Sequence, residues 1–164
     1  MQSALLGFVV PINLLQSASV AYIHYVSFMI CFGALIFERI SLKPYPSRQE
    51  AISMVIADII YGIAGVALLV TGIYRVIKFG QGSEFYTQNP VFWTKIIIFG
   101  VVGSLSLYPT ITYVLWAIPL SRGTLPQVTE NLVKRLRIII NVELVGFAFI
   151  PFMATLMARG IGLG

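Results

Sequence analysis

His24 is the only histidine of the chain, and it lies inside a stretch that is long and apolar enough to cross a bilayer. An imidazole can bind a haem iron or another metal ion, and it can carry protons near neutral pH. The alternative is a packed histidine that hydrogen-bonds to a neighbouring helix, and the residues alone leave both open. Because lipid cannot satisfy a polar side chain, His24 must face protein or water.

Four further ionisable side chains lie inside or just inside apolar stretches: Asp58, Arg75, Lys95 and Glu143. A charged residue costs about 2.5–3.5 kcal/mol at a helix centre, whereas one Leu recovers only about 0.3–0.6 kcal/mol. Lys95 and Arg75 could neutralise an anionic ligand, such as haem propionates, or could extend to the lipid headgroups. Asp58 and Glu143 could pair with basic residues, carry protons or form hydrogen bonds between helices.

A single histidine limits the metal chemistry of one chain. A bis-histidine haem and a multi-histidine copper or zinc site are both excluded within a monomer. If His24 is the metal ligand of a haem b, the sixth coordination position of the iron either stays open or is filled by another side chain. The candidates are Lys95, Met157, a tyrosine or the histidine of a second copy. We therefore expect the cofactor site to involve His24, Lys95, Arg75 and Met157.

The composition identifies an integral membrane protein. The chain has 164 residues, of which 58% are hydrophobic and 10% charged, whereas soluble domains are about a quarter charged. Apolar stretches at about 17–40, 52–78, 91–117 and 133–158 predict an all-α four-helix bundle, with residues 1–164 forming a single transmembrane domain. The basic residues mostly flank these stretches, which indicates topology determinants and no nucleic-acid partner. The expected partners are the lipid bilayer and either a second copy or a larger membrane complex.

Small and polar residues form one face of the first span, and this face should point at the other helices. This face consists of Ser17, His24, Ser27, Cys31, Ala34 and Glu38.

Residues 1–16 are too short to cross a membrane, and Pro11 and Asn13 interrupt them. This pattern predicts an interfacial segment or a lead-in to the first helix.

Local signals mark the helix ends. Ser47 followed by Glu50 predicts a capping box at the second helix. Asn89 before a proline predicts the start of the third helix. Trp93 and Trp116, near the two ends of that helix, are typical of an aromatic belt. Inside the same helix, a proline predicts a kink whose freed backbone groups nearby hydroxyl side chains could satisfy.

The distribution of Lys and Arg predicts the orientation. Four spans place both termini and the connection between the second and third spans on one side. That side has three basic residues, or four if Lys95 is included with Arg75, Lys78 and Arg159. More basic residues fall on the other side: Arg39, Lys43, Arg48, Arg122, Lys134, Arg135 and Arg137. The positive-inside rule therefore predicts that both termini are non-cytoplasmic. We expect the protein in the bacterial cytoplasmic membrane or in a thylakoid-type membrane.

The segment from Tyr61 to Trp116, together with YIHYVSFMICFGALIFE and RLRIIINVEL, resembles a bacterial family of predicted four-helix membrane proteins of unknown function. That family is distantly similar to the CopD/HemJ-like group, whose HemJ-type members are protoporphyrinogen oxidases associated with b-type haem. Those proteins have a histidine early in the first helix and a Trp-x-x-Lys-like entry to a later one, comparable with His24 and with Trp93 and Lys95. The further histidines of that group are absent here.

The resemblance implies a haem b or related tetrapyrrole used for electron transfer or a porphyrin redox step. A cofactor-free accessory or assembly subunit of a larger membrane complex is the alternative from another class. An ion or proton pathway through Glu143 is a third hypothesis. Whether the protein is an enzyme stays open at this point.

Overall fold

A computed structural model describes residues 11–80 and 82–162, and it is built from helices. The elements are α1 (Ile12–Ser41), α2 (Arg48–Lys78), a short α3 (Ser83–Thr87), α4 (Pro90–Ser121) and α5 (Glu130–Ala158). The four long helices are each long and apolar enough to span a membrane, and no strand occurs in the described ranges. The predicted all-α integral membrane bundle is thus confirmed. An interfacial role for residues 1–10 lies outside the described residues.

The long helices surround one interior. α1 packs against α2 and α5, and α4 packs against the same two helices, so α1 and α4 face each other diagonally. Neighbouring helices run antiparallel, which places residues 12 and 158 at the same end. We call this end, which also holds α3, the terminal side. The opposite end carries the α1–α2 and α4–α5 connections and is called the loop side.

Side-chain caps define three of the helix starts. The Ser47 side chain accepts from the backbone N–H of Glu50, and the Glu50 carboxylate accepts from the backbone N–H of Ser47, so the predicted capping box is present. Asn89 Oδ1 accepts from the backbone N–H of Val91 at 2.9 Å, as its position before a proline predicts. The Thr129 hydroxyl caps α5 in the same way.

Two helical segments differ from the sequence-based expectation. α1 begins at Ile12 and not near residue 17, because the Pro11 carbonyl accepts hydrogen bonds from the backbone N–H groups of Leu14 and Leu15. Residues 12–16 are therefore a lead-in to the first helix. The glycine-rich connection between α2 and α4 contains the one-turn helix α3, and Trp93 Nε1 donates to the carbonyl of Thr87 at 2.9 Å.

The tightly packed core occupies the middle and the loop side. No residue of α1 before Ser27, of α2 after Leu68 or of α4 before Val102 is buried, and α5 beyond Phe147 contributes only Met157. On the loop side, an apolar layer closes the interior. This layer consists of Leu42, Trp116, Leu120, Val128, Val133 and Leu136, each at most 5% exposed.

α4 packs differently from the predicted pattern at two places. Trp116 is 5% exposed and stacks edge-on against Tyr113, with ring centroids 5.0 Å apart, so its assignment to an outward aromatic belt is wrong. Trp93 is 49% exposed, consistent with a belt position. The hydroxyl of Thr110, which follows the internal Pro109, donates to a carboxylate on α2 and not to the backbone freed by the proline.

Candidate functional site

His24 lies in the terminal half of the bundle, half-buried between α1 and α2. Its Nδ1 lies 3.1 Å from the carbonyl oxygen of Leu68 and 3.0 Å from Oγ1 of Thr71. The Thr71 hydroxyl donates to the carbonyl of Ala67 at 2.6 Å, so both neighbours of Nδ1 present lone pairs. In the neutral imidazole the proton therefore sits on Nδ1, and Nε2 keeps its lone pair. No described residue forms a hydrogen bond with Nε2.

Gly72 provides the space that the imidazole occupies. A Cβ atom at this position would lie 3.1 Å from Cε1 of His24, which is closer than ordinary van der Waals contact. A side chain here would therefore push the ring away from Leu68. The predicted inward face of α1 is also confirmed. Of its six residues, Ser17 and His24 are half-buried, and the other four are buried: Ser27, Cys31, Ala34 and Glu38.

Two cations lie close enough to His24 for their charges to act on its imidazole, namely Arg75 on α2 and Lys95 on α4. The Arg75 guanidinium lies 5.1 Å from the ring centroid of Tyr25, and its Nη2 donates to the Tyr25 hydroxyl at 3.4 Å. Lys95 Nζ lies 5.3 Å from the ring centroid of Phe92. The structure thus brings His24, Arg75 and Lys95 into one region of the terminal half.

This region carries uncompensated positive charge. In the described part of the chain, the one ion pair joins Lys43 and Glu50, at 2.8 Å on the loop side. Arg75 and Lys95 accordingly have no acidic partner there. Contact with aromatic rings supports a cation only modestly, by about 0.5–1 kcal/mol at exposed sites, which leaves both side chains able to bind an anion.

Met157 lies closer to the membrane surface than His24. Gly146 of α5 packs against Val102 of α4, and Gly162 lies beside Asn89, so the two helices run in antiparallel register. Met157 is therefore level with the first turns of α4. It is 6% exposed, and its assignment as a cofactor ligand stays a prediction.

A second polar group lies deeper, at the centre of the bundle and toward the loop side. Glu143 is 0% exposed, and neither of its carboxyl oxygens has a hydrogen-bond partner among the described residues. Glu38 is 1% exposed, and its Oε1 is likewise without a partner. Asp58, 5% exposed, accepts a hydrogen bond from the Thr110 hydroxyl at 2.8 Å. Each of these three carboxyl groups is within electrostatic reach of the other two; we call them the carboxyl cluster.

Two tyrosines complete the surroundings of the carboxyl cluster. Tyr113 is 0% exposed, interacts electrostatically with all three carboxyl groups, and has a hydroxyl without a hydrogen-bond partner in the described structure. Tyr61 lies near the Ser106 side chain and within electrostatic reach of Glu143, and the Ser106 hydroxyl donates to the Gly103 carbonyl at 2.9 Å. The Sγ atom of Cys31 donates to the Tyr61 carbonyl at 3.7 Å. The interior at this depth is therefore polar, although it is closed to solvent.

Among the described residues, Asp58 and Glu143 do not pair with the basic residues, which was one of the sequence-based alternatives. Arg39 Nε instead donates to Asn141 Oδ1 at 2.6 Å, and Arg137 Nη2 donates to the Leu42 carbonyl at 2.8 Å. Both guanidinium groups are used at the loop-side end of the bundle, where they tie neighbouring helices together. Hydrogen bonding between helices, another of the alternatives, is what the structure shows for Asp58.

Tyr61 and Tyr113 were not predicted as part of a site, and Glu38 was predicted only as a member of a polar face. A signal for Glu38 was its place on the same face as His24, two residues before the end of the predicted span. In the described residues, no three His, Cys, Asp or Glu side chains come together in a way that could hold a metal ion.

No curated protein and no solved structure matches this chain. A family model does match, and it covers residues 16–162, which is nearly the whole chain. The match confirms the resemblance of the segment around Tyr61–Trp116 to a family of unknown function, whereas the distant similarity to the CopD/HemJ-like group stays a prediction. The chain belongs to the family described as predicted membrane protein DUF2214.

Proposed function

We propose that the terminal half of this membrane protein binds a haem b or a related tetrapyrrole, with His24 as the axial ligand, for electron transfer or a porphyrin redox step. The observation that carries the proposal is the position of His24 beside two cations, Arg75 and Lys95, that have no acidic partner in the described structure. Haem b combines a metal that imidazole binds with two propionate groups that cations neutralise.

The residues around His24 fit such a group. Metal-bound histidines usually donate their second ring N–H to a carbonyl or carboxylate, which fixes the tautomer and raises the basicity of the ligating nitrogen. The hydrogen bond from Nδ1 to the Leu68 carbonyl has this arrangement, and it leaves Nε2 for the metal. Haem would supply one-electron chemistry at this site.

The contributions of the chain itself follow from the contacts. Leu68 and Thr71 orient the imidazole, and the missing side chain of Gly72 gives it room. Arg75 and Lys95 would bind and orient carboxylate groups of the ligand. Because Met157 lies nearer to the membrane surface, we propose a single protein ligand per chain, with a histidine of a second copy as the alternative.

An absorption spectrum of protein purified from haem-replete cells tests the proposal. We expect a Soret band that His24→Ala abolishes while the far-UV circular dichroism of the helices is unchanged. A colourless preparation that is fully folded would reject it, and so would a Soret band that persists in His24→Ala.

A pair of glycine variants on α2 provides a matched control. Gly72→Ala places a methyl group 3.1 Å from Cε1 of His24 and should displace the imidazole, which lowers haem retention or shifts the Soret band. Gly65→Ala is the same chemical change on the same helix, but its methyl group meets no atom within 4 Å. We expect the Gly65→Ala spectrum to equal that of the wild type.

A second candidate is a cofactor-free accessory or assembly subunit of a larger membrane complex. It is favoured by the open glycines Gly62 and Gly65 on α2 and Gly100 and Gly103 on α4, where an added Cβ would meet nothing within 4 Å. Small residues let a second membrane helix approach closely. Co-purification with a large complex that is lost in Gly100→Leu/Gly103→Leu would support this role, whereas an active isolated monomer would contradict it.

We propose that the protein lies in the bacterial cytoplasmic membrane. In this proposal the terminal side of the bundle faces away from the cytoplasm. The support is the excess of Lys and Arg on the loop side. In this orientation the proposed tetrapyrrole site lies in the leaflet that faces away from the cytoplasm.

A further inference from the structure

We propose that Glu38, Asp58 and Glu143 form a buried proton-binding site that takes up and releases protons as the pH changes. This site is separate from His24 and does not depend on a tetrapyrrole. Cys31 of α1 lies at the depth of Tyr61, which borders the carboxyl cluster. Two turns of α1, or about 10 Å along the helix, separate Cys31 from His24.

Charge balance is the first step of the argument. Three carboxyl groups from α1, α2 and α5 lie within electrostatic reach of each other, and none forms an ion pair in the described structure. Carboxylates in an apolar interior are costly unless a cation accompanies them. The nearby guanidinium groups, Arg39 and Arg137, are bonded to Asn141 and to a backbone carbonyl. Neither guanidinium forms an ion pair with the cluster, so a bound cation, of which the proton is the simplest, can supply the positive charge that the carboxylates lack.

The second step is the set of unused hydrogen-bonding atoms. Both oxygens of Glu143, Oε1 of Glu38 and the hydroxyl of Tyr113 are buried without partners among the described residues. Such atoms are rare in folded proteins, and each calls for an explanation such as a proton, an ion or a water molecule. Tyr113 lies on α4, so all four long helices contribute a polar group to one interior space.

The third step distinguishes a proton from a metal ion. The carboxyl groups influence each other electrostatically, but the described side chains do not converge as a set of metal ligands. A proton needs only one oxygen, and carboxyl groups that are coupled in this way gain and lose protons as a set. The titratable groups that face the cluster are Cys31 and Glu38 from α1, Asp58 and Tyr61 from α2, Tyr113 from α4 and Glu143 from α5.

Infrared difference spectroscopy of the full-length protein in liposomes tests the proposal. The wild type, in buffer free of alkali cations, should show the C=O band of protonated carboxyl groups at neutral pH. This band should lose intensity in alkaline buffer as carboxylate bands grow, because each group releases its proton to water. It should also shift when H2O is replaced by D2O, since the proton exchanges.

Glu143→Gln should remove about one third of the band, because one of three coupled carboxyl groups is lost, and should change the midpoint of the remainder. Glu84→Gln is the matched control, because Glu84 is exposed on α3 outside the bundle, and it should leave the band unchanged. If Glu143→Gln does not fold, Glu38→Gln and Asp58→Asn provide the same test, and the wild-type pH and D2O measurements need no variant.

Three results would overturn the proposal. The first is the absence of a protonated-carboxyl band at neutral pH. The second is a band that does not change with pH or D2O, which would indicate carboxylic acids with a structural role only. The third is a band that disappears at constant pH on addition of sodium or potassium chloride, which would indicate a metal-cation site.

Discussion

Replacement of Glu143 by Met should stabilise the protein, although it removes a residue from a candidate site. Glu143 is 0% exposed, and both of its carboxyl oxygens lack partners in the described structure. A buried polar group without a hydrogen bond costs about 1–3 kcal/mol. Met has a similar length and adapts its shape to the space available, so its substitution removes this cost without leaving a large cavity. We expect the free energy of unfolding to rise by about 1–3 kcal/mol.

The same reasoning predicts that replacing the three carboxyl groups changes the free energy of unfolding in different ways. Glu38→Met should stabilise less than Glu143→Met, because one carboxyl oxygen of Glu38, and both of Glu143, are fully buried without a partner in the described structure. Asp58→Leu should destabilise by about 1 kcal/mol, because it removes the acceptor of the Thr110 hydroxyl, 2.8 Å away. Asp58 is thus the internal control. It tests whether carboxyl oxygens without partners, and not carboxyl groups as such, determine if a substitution stabilises or destabilises the protein.

Thermal unfolding in one detergent at one pH measures these differences. For a chain of this size, 1 kcal/mol corresponds to about 2–4 °C in the melting temperature, so Glu143→Met should raise it by about 2–12 °C. A fall in melting temperature for Glu143→Met would refute the reasoning, because it would mean that the carboxyl group has partners that stabilise the fold. Equal effects for Glu143 and Asp58 would refute it as well.

Three further predictions concern packing, capping and orientation. Gly146→Ala should lower the free energy of unfolding by about 1–3 kcal/mol, because its methyl group would overlap the Val102 side chain. Val102→Ala in the same chain should restore part of this loss, and additive effects in a double-mutant cycle would contradict the contact. Ser47→Ala should lower the melting temperature through a loss of about 1 kcal/mol, because it removes the reciprocal cap with Glu50, and an unchanged value would show that the cap is not needed. A cysteine introduced at Leu125, which is 54% exposed in the α4–α5 connection, should react with a membrane-impermeant maleimide only from the cytoplasmic side, and labelling of intact cells would reverse the proposed orientation.

The features that could be predicted from the sequence are those that depend on neighbouring residues. Four spans follow from the length and apolarity of the stretches, and the caps at Ser47 and Asn89 follow from local hydrogen bonding. The inward face of α1 follows from the helical period, because its polar and small residues, such as Ser27 and Cys31, contrast with the apolar remainder of the helix.

The features that could not be predicted depend on how the helices fit together. The apolar residues of α4 are spread around the helix with no distinct apolar face, so its sequence does not indicate that Tyr113 and Trp116 point inward. Asp58 and Glu143 could each be recognised as polar groups within a span. Their approach to each other and to Glu38 is set by the register of separate helices, which a single sequence does not contain.

The uneven distribution of buried residues determines which end of the bundle can move. Besides the apolar layer on the loop side, the Tyr45 backbone N–H donates to the Val128 carbonyl at 3.3 Å, and this bond links the two connections. That end should behave as a fixed pivot. At the other end the helices have little buried contact to break, so small rotations about the pivot can separate them sideways. A bulky, flat molecule dissolved in the leaflet at the terminal side could then enter between the helices without unfolding any of them.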